Sequence, residues 1–447
     1  MTALRAKTVS AIGWSFVDTF ATRVLGGIIS IFLARSLAPE EFGVMGMLAI
    51  FIAIASLVVE GGLTGALIQK QGVTREDTNS AFYANATFGV VVALILYFSA
   101  PAIAAFYQEP ELEGVTTVMS MLFIINGLAA VQMAQMVKAL RFRSLAIVSV
   151  VSVLGSGIIS ISLARMGYGV WSLVVQQLSR AAISTLCVWL MSAWRPGLVF
   201  SMEAFRALFS YGWRMVASNT IARAFENLYF VVVGKAYGTA ELGYYSRAEL
   251  LQQLPARSMS QVVGRVSFPV FASIQDQPDI LRAGAKRAIT MLALINFPLM
   301  AGIAVVAEPL VVALLTERWM RVVPFLQLLA LAGLLHPMHS VNLGLLQALG
   351  RPDLHLRLSI VRHALVVANV AITWHLGIMA MIAGQVILSF VAFFINTFYT
   401  RATIQYGVWR QVRDVLPYAA ATVAMVGVVL ATRFIPLQSA LLQLLVE

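Results

Sequence analysis

Residues 88–105 read FGVVVALILYFSAPAIAA, eighteen consecutive residues without a charged side chain. An α-helix needs about 20 predominantly apolar residues to span the hydrocarbon core of a bilayer. Two similar runs, Ile147–Ala164 and Val415–Ala431, lie further along the chain. Overall, 60% of the residues are hydrophobic and only 11% are charged, against roughly 25% charged in an ordinary soluble domain. These features predict an all-α integral membrane protein.

The apolar segments predict thirteen spanning helices, centred near residues 22, 54, 92, 125, 155, 182, 222, 257, 298, 335, 367, 390 and 423. A short apolar end, Leu437–Val446, is too brief to cross and predicts part of a fourteenth helix. The helix near residue 257 is the least hydrophobic, and an amphipathic helix on the membrane surface is its alternative. Gly61, Gly62 and Gly155 fit positions where helices pack closely.

The distribution of Lys and Arg between alternate loops predicts the orientation. With a cytoplasmic N-terminus, the inner side carries Arg5, Lys7, Lys70, Arg75, Lys138, Arg141, Arg143, Arg195, Arg206, Arg282, Lys286, Arg287, Arg351, Arg357, Arg401, Arg410 and Arg413. The outer side carries only Arg35, Arg165, Lys235, Arg318, Arg321 and Arg433. Basic residues concentrate in cytoplasmic loops of membrane proteins, so we expect a cytoplasmic N-terminus. The net charge of +11 is accordingly attributed to loops beside anionic lipid, and no nucleic-acid partner is expected.

The two halves of the chain resemble each other at an offset of about 200 residues. The matches are Gly13-Trp14 with Gly212-Trp213, Arg23 with Arg223, Arg35 with Lys235, and Glu41-Phe42-Gly43 with Glu241-Leu242-Gly243. Each half contains six spans, so both enter the membrane in the same direction, as in parallel repeats that bind substrate between them. We therefore predict two six-helix bundles, over 1–205 and 206–405, related by a parallel pseudo-two-fold axis. Additional C-terminal helices, helix 13 and a partial helix 14, would occupy 406–447.

Several segments resemble the polysaccharide-transporter branch of the MOP flippase superfamily. They are Ser10–Trp14, Ala34–Gly43, Gly61–Gln69, Asp77–Asn85, Phe268-Pro269, Gln275-Asp276, Glu317–Trp319 and Gly350–Asp353. The most similar group is the Wzx-type exporters, which flip undecaprenyl-diphosphate-linked oligosaccharide units across the bacterial cytoplasmic membrane for polysaccharide or lipopolysaccharide biosynthesis. The resemblance implies two lobes in a V shape around a central cavity, working by alternating access. It also implies partners such as a polysaccharide polymerase and a chain-length regulator.

Basic residues within the predicted spans are candidates for binding the diphosphate. Polar residues recur every fourth position at Glu249, Gln253, Arg257, Gln261 and Arg265, which places them on adjacent turns of one helix face. Arg offers forked donors that match phosphate oxygens. The candidates are Arg23, Arg214, Arg223, Arg247, Arg257 and Arg265. Arg23 and Arg223 would form a symmetry-related pair, while a structural residue whose charge reaches the interface is the alternative for any single Arg.

Acidic and amide side chains suggest two further roles. Asp18, Glu60, Glu226 and Glu249 are candidates for proton or sodium coupling. Glu226 follows Arg223 by three residues, so an internal ion pair is an equal alternative. Glu60 is placed near the inner end of helix 2, where it could simply be solvated. Asn219, Gln253 and Gln261 are candidates for sugar contacts, with interhelical hydrogen bonds as the alternative.

Two other function classes stay open beside the flippase. An ion-coupled antiporter of drugs or metabolites could use the same architecture, although its often cationic substrates would favour an acidic cavity. A membrane glycosyltransferase or polymerase would be expected to carry a sizeable exposed loop, and no loop here exceeds roughly twenty residues. His336 and His339 lack the Glu of a zinc-protease motif. We therefore expect a transporter without metal or cofactor, and not an enzyme.

Overall fold

The chain folds into helices that form two compact units, Met1–Gly243 and Tyr244–Glu447. The computed structural model describes the backbone of residues 2–432 and the side chains of residues 13–15, 17–254, 270–351 and 353–431. Within this described part the regular secondary structure is helical, with no β-strand. The predicted all-α class is therefore confirmed.

The first unit contains ten α-helices, one π-helical turn and the beginning of an eleventh helix. They are α1 (Thr2–Ser36), α2 (Pro39–Met47), α3 (Ala49–Ser56), the π turn (Leu57–Gly61), α4 (Gly62–Gln69), α5 (Arg75–Tyr107), α6 (Glu111–Met119), α7 (Met121–Lys138), α8 (Phe142–Arg165), α9 (Val170–Met191), α10 (Met202–Glu226) and α11 (Leu228–Ser273).

The second unit follows from the later part of α11. Its further helices are α12 (Pro278–Val305), α13 (Ala307–Leu314), a 3-10 turn (Glu317–Trp319), α14 (Val322–Gly333), α15 (His336–Ala348), α16 (Pro352–Thr373), α17 (Ile378–Ile404) and α18 (Val408–Thr432). Its buried core brings α12, α15, α17 and α18 together around apolar side chains such as Ile289, Val341 and Phe393.

Within the described part of the chain, eleven segments are long and apolar enough to cross a membrane. They are Gly13–Ser36, Ala49–Gln69, Arg75–Tyr107, Glu111–Lys138, Phe142–Arg165, Val170–Met191, Pro278–Val305, Val322–Ala348, Asp353–Thr373, Ile378–Ile404 and Val408–Ala431. Eleven of the thirteen predicted spans are therefore confirmed in length and composition. The helices predicted near residues 222 and 257 also form, within α10 and α11. However, α10 is more polar than the eleven segments above and carries five charged side chains. That these two cross the membrane stays a prediction.

Paired glycines let α5 and α7 approach each other closely. A Cβ on Gly89 would lie 2.5 Å from the Phe123 carbonyl oxygen, and one on Gly127 would lie 2.7 Å from the Asn85 carbonyl oxygen. Spanning helices associate by such close backbone packing, because apolar side chains gain little by leaving lipid. The predicted close packing at Gly155 is also confirmed, since a Cβ there would lie 2.7 Å from Ile183.

One loop joins the ends of α4, α5 and α7 through charged groups. Thr74 and Asp77 cap α5 reciprocally, with hydrogen bonds of 3.1 and 3.0 Å between side chain and backbone. The buried Asp77 carboxylate also contacts Lys70 Nζ at 2.7 Å. Lys138 Nζ, from the end of α7, donates to the carbonyl oxygen of Leu67 at 3.1 Å. These bonds tie the ends of α4, α5 and α7 to one another.

The local backbone follows the predicted 200-residue repeat. In the first copy the chain leaves α1 after Ser36 and starts α2 at Pro39, beyond the extended residue Ala38. In the second copy α11 is interrupted at Gly238, whose φ of 84° lies in the left-handed region that favours glycine. Both breaks therefore occur at the same position of the repeat.

The matched glycines of the repeat have matching surroundings within the first unit. A Cβ on Gly43 would lie 1.8 Å from the Thr239 carbonyl oxygen, and one on Gly243 would lie 1.9 Å from the Pro39 carbonyl oxygen. Each glycine thus leaves room for the backbone of the other copy. The bundle boundaries at 205, 405 and 447 stay a prediction, as does the V-shaped cavity. The compact units divide elsewhere, since α10 packs on α4 inside the first unit.

Candidate functional site

The first unit encloses a polar cavity of about 780 Å3 between apolar helices. Its walls come from α1, α3, α4, α7, α8, α9 and the π turn, and eight of the lining residues are Ser or Thr. Five further polar side chains line it, namely Glu60, Asn126, Gln176, Gln177 and Arg180. Polar groups are costly among spanning helices unless they face water, one another or a ligand. This cavity is therefore the candidate functional site of the first unit.

Glu60 lies on the π turn, near the middle of the span Ala49–Gln69. A π turn widens a helix locally and is frequent at functional sites. The Glu60 carboxylate faces the cavity and accepts a hydrogen bond of 2.6 Å from Asn126 Nδ2. The expectation that Glu60 sits near the inner end of its helix is wrong, because this span continues to Gln69 and Glu60 lies near its middle.

Arg180 brings a positive charge to the same cavity and has an acidic neighbour. It lines the wall from α9 and interacts electrostatically with Asp18 of α1. Oδ1 of Asp18 is buried and accepts no hydrogen bond from the described residues. Arg23 follows on α1, and the spacing of Arg23, Gly26 and Ser30 places it one turn from the cavity lining on the same helix face. The cavity thus has charges of both signs in or beside its wall.

The predicted site residues of α10 lie on different faces of that helix. Gly212 and Val216 pack against Gly62 of α4, where a Cβ on Gly212 would lie 2.7 Å from the Gly62 backbone. Arg223 comes seven residues after Val216 and shares its face, whereas Arg214 lies nine residues before Arg223, about 180° around the helix. The Arg214 guanidinium lies 6.0 Å from the ring centroid of its neighbour Trp213. The two arginines therefore point in opposite directions.

Arg223 forms the ion pair that its spacing from Glu226 predicts. Its Nη1 lies 2.9 Å from Glu226 Oε2, and the two side chains are 52% and 53% exposed. Both charged groups are accessible to a ligand, because the pair is not enclosed by protein. Asn219, one turn earlier, is half-buried and its role in sugar binding stays a prediction.

The polar row of the second unit is only partly described. Gln253 donates a hydrogen bond to Glu249 on the preceding turn, as the four-residue spacing predicts, and Arg247 is half-buried. The side chains of the predicted site residues Arg257, Gln261 and Arg265 lie outside the described residues. The described beginning of this polar row is therefore a hydrogen-bonded pair, Glu249 and Gln253, on one face of α11.

Sequence reasoning did not select four of the side chains that line the cavity. They are Asn126, Gln176, Gln177 and Arg180, and all four lie in apolar helices. Their only sequence signal is polarity inside a predicted span, which is equally typical of interhelical hydrogen bonds. Their convergence on Glu60 is a property of the packing of α7 and α9.

Comparison with known families shows to which family the chain belongs. A family model described as "Polysaccharide biosynthesis protein" matches residues 32–324, more than half of the chain. The chain belongs to this family. The resemblance to polysaccharide transporters predicted from the sequence is thereby confirmed.

Several curated relatives are similar to the chain over most of their length. The chain is 27% identical to the teichuronic acid biosynthesis protein TuaB of Bacillus subtilis, covering 79% of this chain and 74% of the relative. It is 26% identical to the lipopolysaccharide biosynthesis protein WzxC of Escherichia coli, with coverages of 83% and 76%. It is 28% identical to the succinoglycan biosynthesis transport protein ExoT of Rhizobium meliloti, with coverages of 75% and 68%.

Solved structures agree on the fold of a multi-pass membrane protein. The lipid II flippase MurJ in an inward closed conformation matches with a TM-score of 0.78 at 14% identity, covering 97% of this chain and 96% of that chain. An inward-facing multidrug resistance MATE family transporter of the MOP superfamily matches with a TM-score of 0.66 at 17% identity, with coverages of 87% and 98%. At these identities the likeness is one of fold.

Proposed function

We propose that the protein flips undecaprenyl-diphosphate-linked oligosaccharide units across the bacterial inner membrane by alternating access, with its N-terminus in the cytoplasm. The observation that carries the proposal is the cavity with Glu60 and Arg180 inside a bundle of apolar helices. The relatives' names, which refer to polysaccharide biosynthesis and in one case to transport, support the substrate class. In this proposal the protein acts as a transporter and not as an enzyme, and its partners are a polysaccharide polymerase, which uses the flipped units, and a chain-length regulator.

Arginine side chains bind the diphosphate in this proposal. A diphosphate loses its hydration on entering a protein, and guanidinium groups replace it with forked, charged hydrogen bonds. Arg23, Arg180 and Arg223 supply this charge from the first unit. Arg247, Arg257 and Arg265 extend it along α11. Arg214, on the opposite face of α10, contributes less.

Glu60 couples ion movement to transport in this proposal. Its carboxylate lies at mid-span, where one proton or cation bound from either side changes the charge of the cavity. Asn126, which donates to Glu60, holds the carboxylate in place. Asp18, Glu226 and Glu249 are the secondary candidates for the same role.

Transport by purified protein tests the diphosphate role. Proteoliposomes would contain a polyprenyl-diphosphate oligosaccharide with a fluorescent sugar, and an impermeant quencher would report flipping. We expect Arg180→Gln and Arg23→Gln to slow flipping about 10-fold or more, because a hydrogen bond to a charged group contributes roughly 1.5–3 kcal/mol. Arg206→Gln, an exposed charge at the start of α10, is the matched control. Wild-type rates for both cavity variants would refute the cationic site.

Labelling from the two sides of the membrane tests the orientation. With Cys187 replaced, a cysteine in place of the exposed Gln71 should react only from the cytoplasm. A cysteine in place of the exposed Glu113 should react only from outside. The reverse pattern would invert the proposed orientation.

An ion-coupled antiporter of small molecules is the second candidate function. Glu60 favours it, because a carboxylate in a cavity also suits a cationic substrate. Thermal stabilisation of the purified protein by cationic drugs, without stabilisation by polyprenyl diphosphate, would support this alternative over the flippase.

A further inference from the structure

A second cavity of about 760 Å3 lies in the second unit, where α17 ends and α18 begins. We define the α17–α18 pocket by the charged residues Arg401 and Arg410 and the aromatic residues Phe394, Phe398 and Trp409. We propose that this pocket binds the headgroup of an anionic glycerophospholipid from the membrane that surrounds the protein. Its size lies within the roughly 300–1,000 Å3 typical of ligand sites.

The pocket combines positive charge with an exposed apolar face. Phe394, Phe398 and Arg401 are spaced by four and three residues, so they share one face of α17. The two Phe side chains are 54% and 67% exposed, and Trp409 is 84% exposed. An acyl chain can lie along the Phe side chains while the phosphate reaches Arg401 and Arg410. Tryptophan at the entrance suits the interface between headgroups and hydrocarbon.

Among the described residues, none of those that line the α17–α18 pocket is acidic, and the acid next to it is already engaged. Asp414 of α18 contacts Lys286 Nζ at 2.7 Å and accepts a hydrogen bond of 2.9 Å from Tyr406. Within the described lining, the two pocket arginines therefore carry a charge of +2 without a carboxylate beside them. This complementarity selects an anionic headgroup over a zwitterionic one.

The loop between the two helices fixes the positions of both arginines. Arg410 Nη1 donates to the Gln405 carbonyl oxygen at 2.7 Å, and Gln405 adopts the left-handed conformation that ends α17. A Cβ on Gly407 would lie 3.1 Å from Arg401 Cδ, so Gly407 makes room for that side chain. Gln411 donates to the Tyr406 carbonyl oxygen at 3.1 Å and pairs with buried Asn342. The site is thus built by the fold before any lipid binds.

A membrane phospholipid fits the pocket better than the oligosaccharide substrate does. Of the described lining residues, only Thr397 and Gln405 have uncharged polar side chains, and the Thr397 hydroxyl already donates to backbone carbonyl oxygens of its own helix. Sugars would therefore find few partners. In the proposed orientation this loop is cytoplasmic, and the cytoplasmic leaflet carries anionic lipid that is attracted by about 1 kcal/mol for each Arg near the surface.

Quenching of Trp409 by brominated lipid tests the proposal. The full chain would be reconstituted in phosphatidylcholine that contains either brominated phosphatidylglycerol or brominated phosphatidylcholine. The protein has eight tryptophans, so the difference in quenching between the wild type and Trp409→Phe isolates the signal of Trp409. We expect phosphatidylglycerol to be preferred, and Arg401→Gln with Arg410→Gln to reduce the preference by roughly 25-fold, about 5-fold for each charge. Arg401→Lys with Arg410→Lys should keep most of it, and Arg206→Gln should leave it unchanged.

Several outcomes would overturn the phospholipid site. One is equal quenching of Trp409 by both lipids in the wild type, and another is a preference that survives the double Gln substitution. Displacement of brominated phosphatidylglycerol by equimolar polyprenyl diphosphate would assign the pocket to the substrate, and displacement by inorganic phosphate would assign it to a free anion. If the Gln variants misfold, the lipid preference of wild-type protein at 1 M salt provides the test. Screening at that salt concentration should abolish the preference for phosphatidylglycerol.

Discussion

Replacing Arg223 and Arg214 separately by Gln compares two arginines of one helix that point in opposite directions. Arg223 shares the α10 face that packs on α4, and its charge is accessible beside Glu226. We expect Arg223→Gln to lose one charged hydrogen bond to the diphosphate, worth about 1.5–3 kcal/mol. Against this, the wild type gives up an exposed ion pair worth about 0–1 kcal/mol when the substrate binds. The difference of about 0.5–3 kcal/mol predicts a loss in flipping of roughly 2- to 150-fold.

Arg214→Gln should leave flipping within about 2-fold of the wild type. Its loss is the contact with Trp213, which is worth roughly 0.5–1 kcal/mol at an exposed site and concerns stability alone. Glu226→Gln should act in the opposite direction and tighten substrate binding by up to about 5-fold, because it releases Arg223 from its ion pair.

Initial flipping rates in proteoliposomes at matched protein content measure all three variants. Thermal unfolding in detergent separates lost transport from lost stability. Equal damage from Arg214→Gln and Arg223→Gln would refute the argument from helix faces. A weaker-binding Glu226→Gln variant would refute the competition between substrate and ion pair.

Three further predictions concern an ion site, a helix crossing and a partly buried carboxyl group. Glu60→Gln should flatten the dependence of flipping on an imposed pH gradient, and an unchanged dependence would exclude Glu60 as the coupling group. Gly127→Ala should destabilise the protein by about 1–3 kcal/mol in thermal unfolding, since its Cβ would lie 2.7 Å from the Asn85 oxygen, while Gly344→Ala, with no atom within 4 Å, serves as the harmless control. Burial raises the pKa of the Glu41 carboxyl, so the folded state holds its proton more tightly and stability should fall as the pH rises from about 4.5 through the raised pKa. Glu41→Gln should remove this loss of stability with rising pH, as measured by thermal unfolding. A pH profile identical to that of the wild type would argue against a contribution of Glu41.

Much of the fold was predictable because the signals are local. Apolar runs such as Phe88–Ala105 identify spans without reference to any other part of the chain. The repeat was visible in matched residues, and both copies break at the same position, before Pro39 and at Gly238. The position of Glu60 was predicted wrongly, because the end of an apolar span is poorly marked when a π turn and two glycines interrupt it.

The candidate site was less predictable, since it depends on which helix faces meet. Arg214 and Arg223 look equivalent in the sequence, and only the packing of Gly212 on Gly62 gives the faces of α10 their different surroundings. The hydrogen bond from Asn126 to Glu60 joins residues 66 positions apart, and no spacing rule connects them.

Composition and loop charge alone determined that this chain is a helical membrane protein with a predicted cytoplasmic N-terminus, because the cost of placing polar groups in hydrocarbon acts on each segment separately. Tertiary structure alone decided that Glu60, Asn126 and Arg180 share one cavity, and that Arg401 and Arg410 share another. A polar residue in a span usually faces away from lipid. Its partner depends on which helix packs beside it, and that packing depends on contacts between distant parts of the chain.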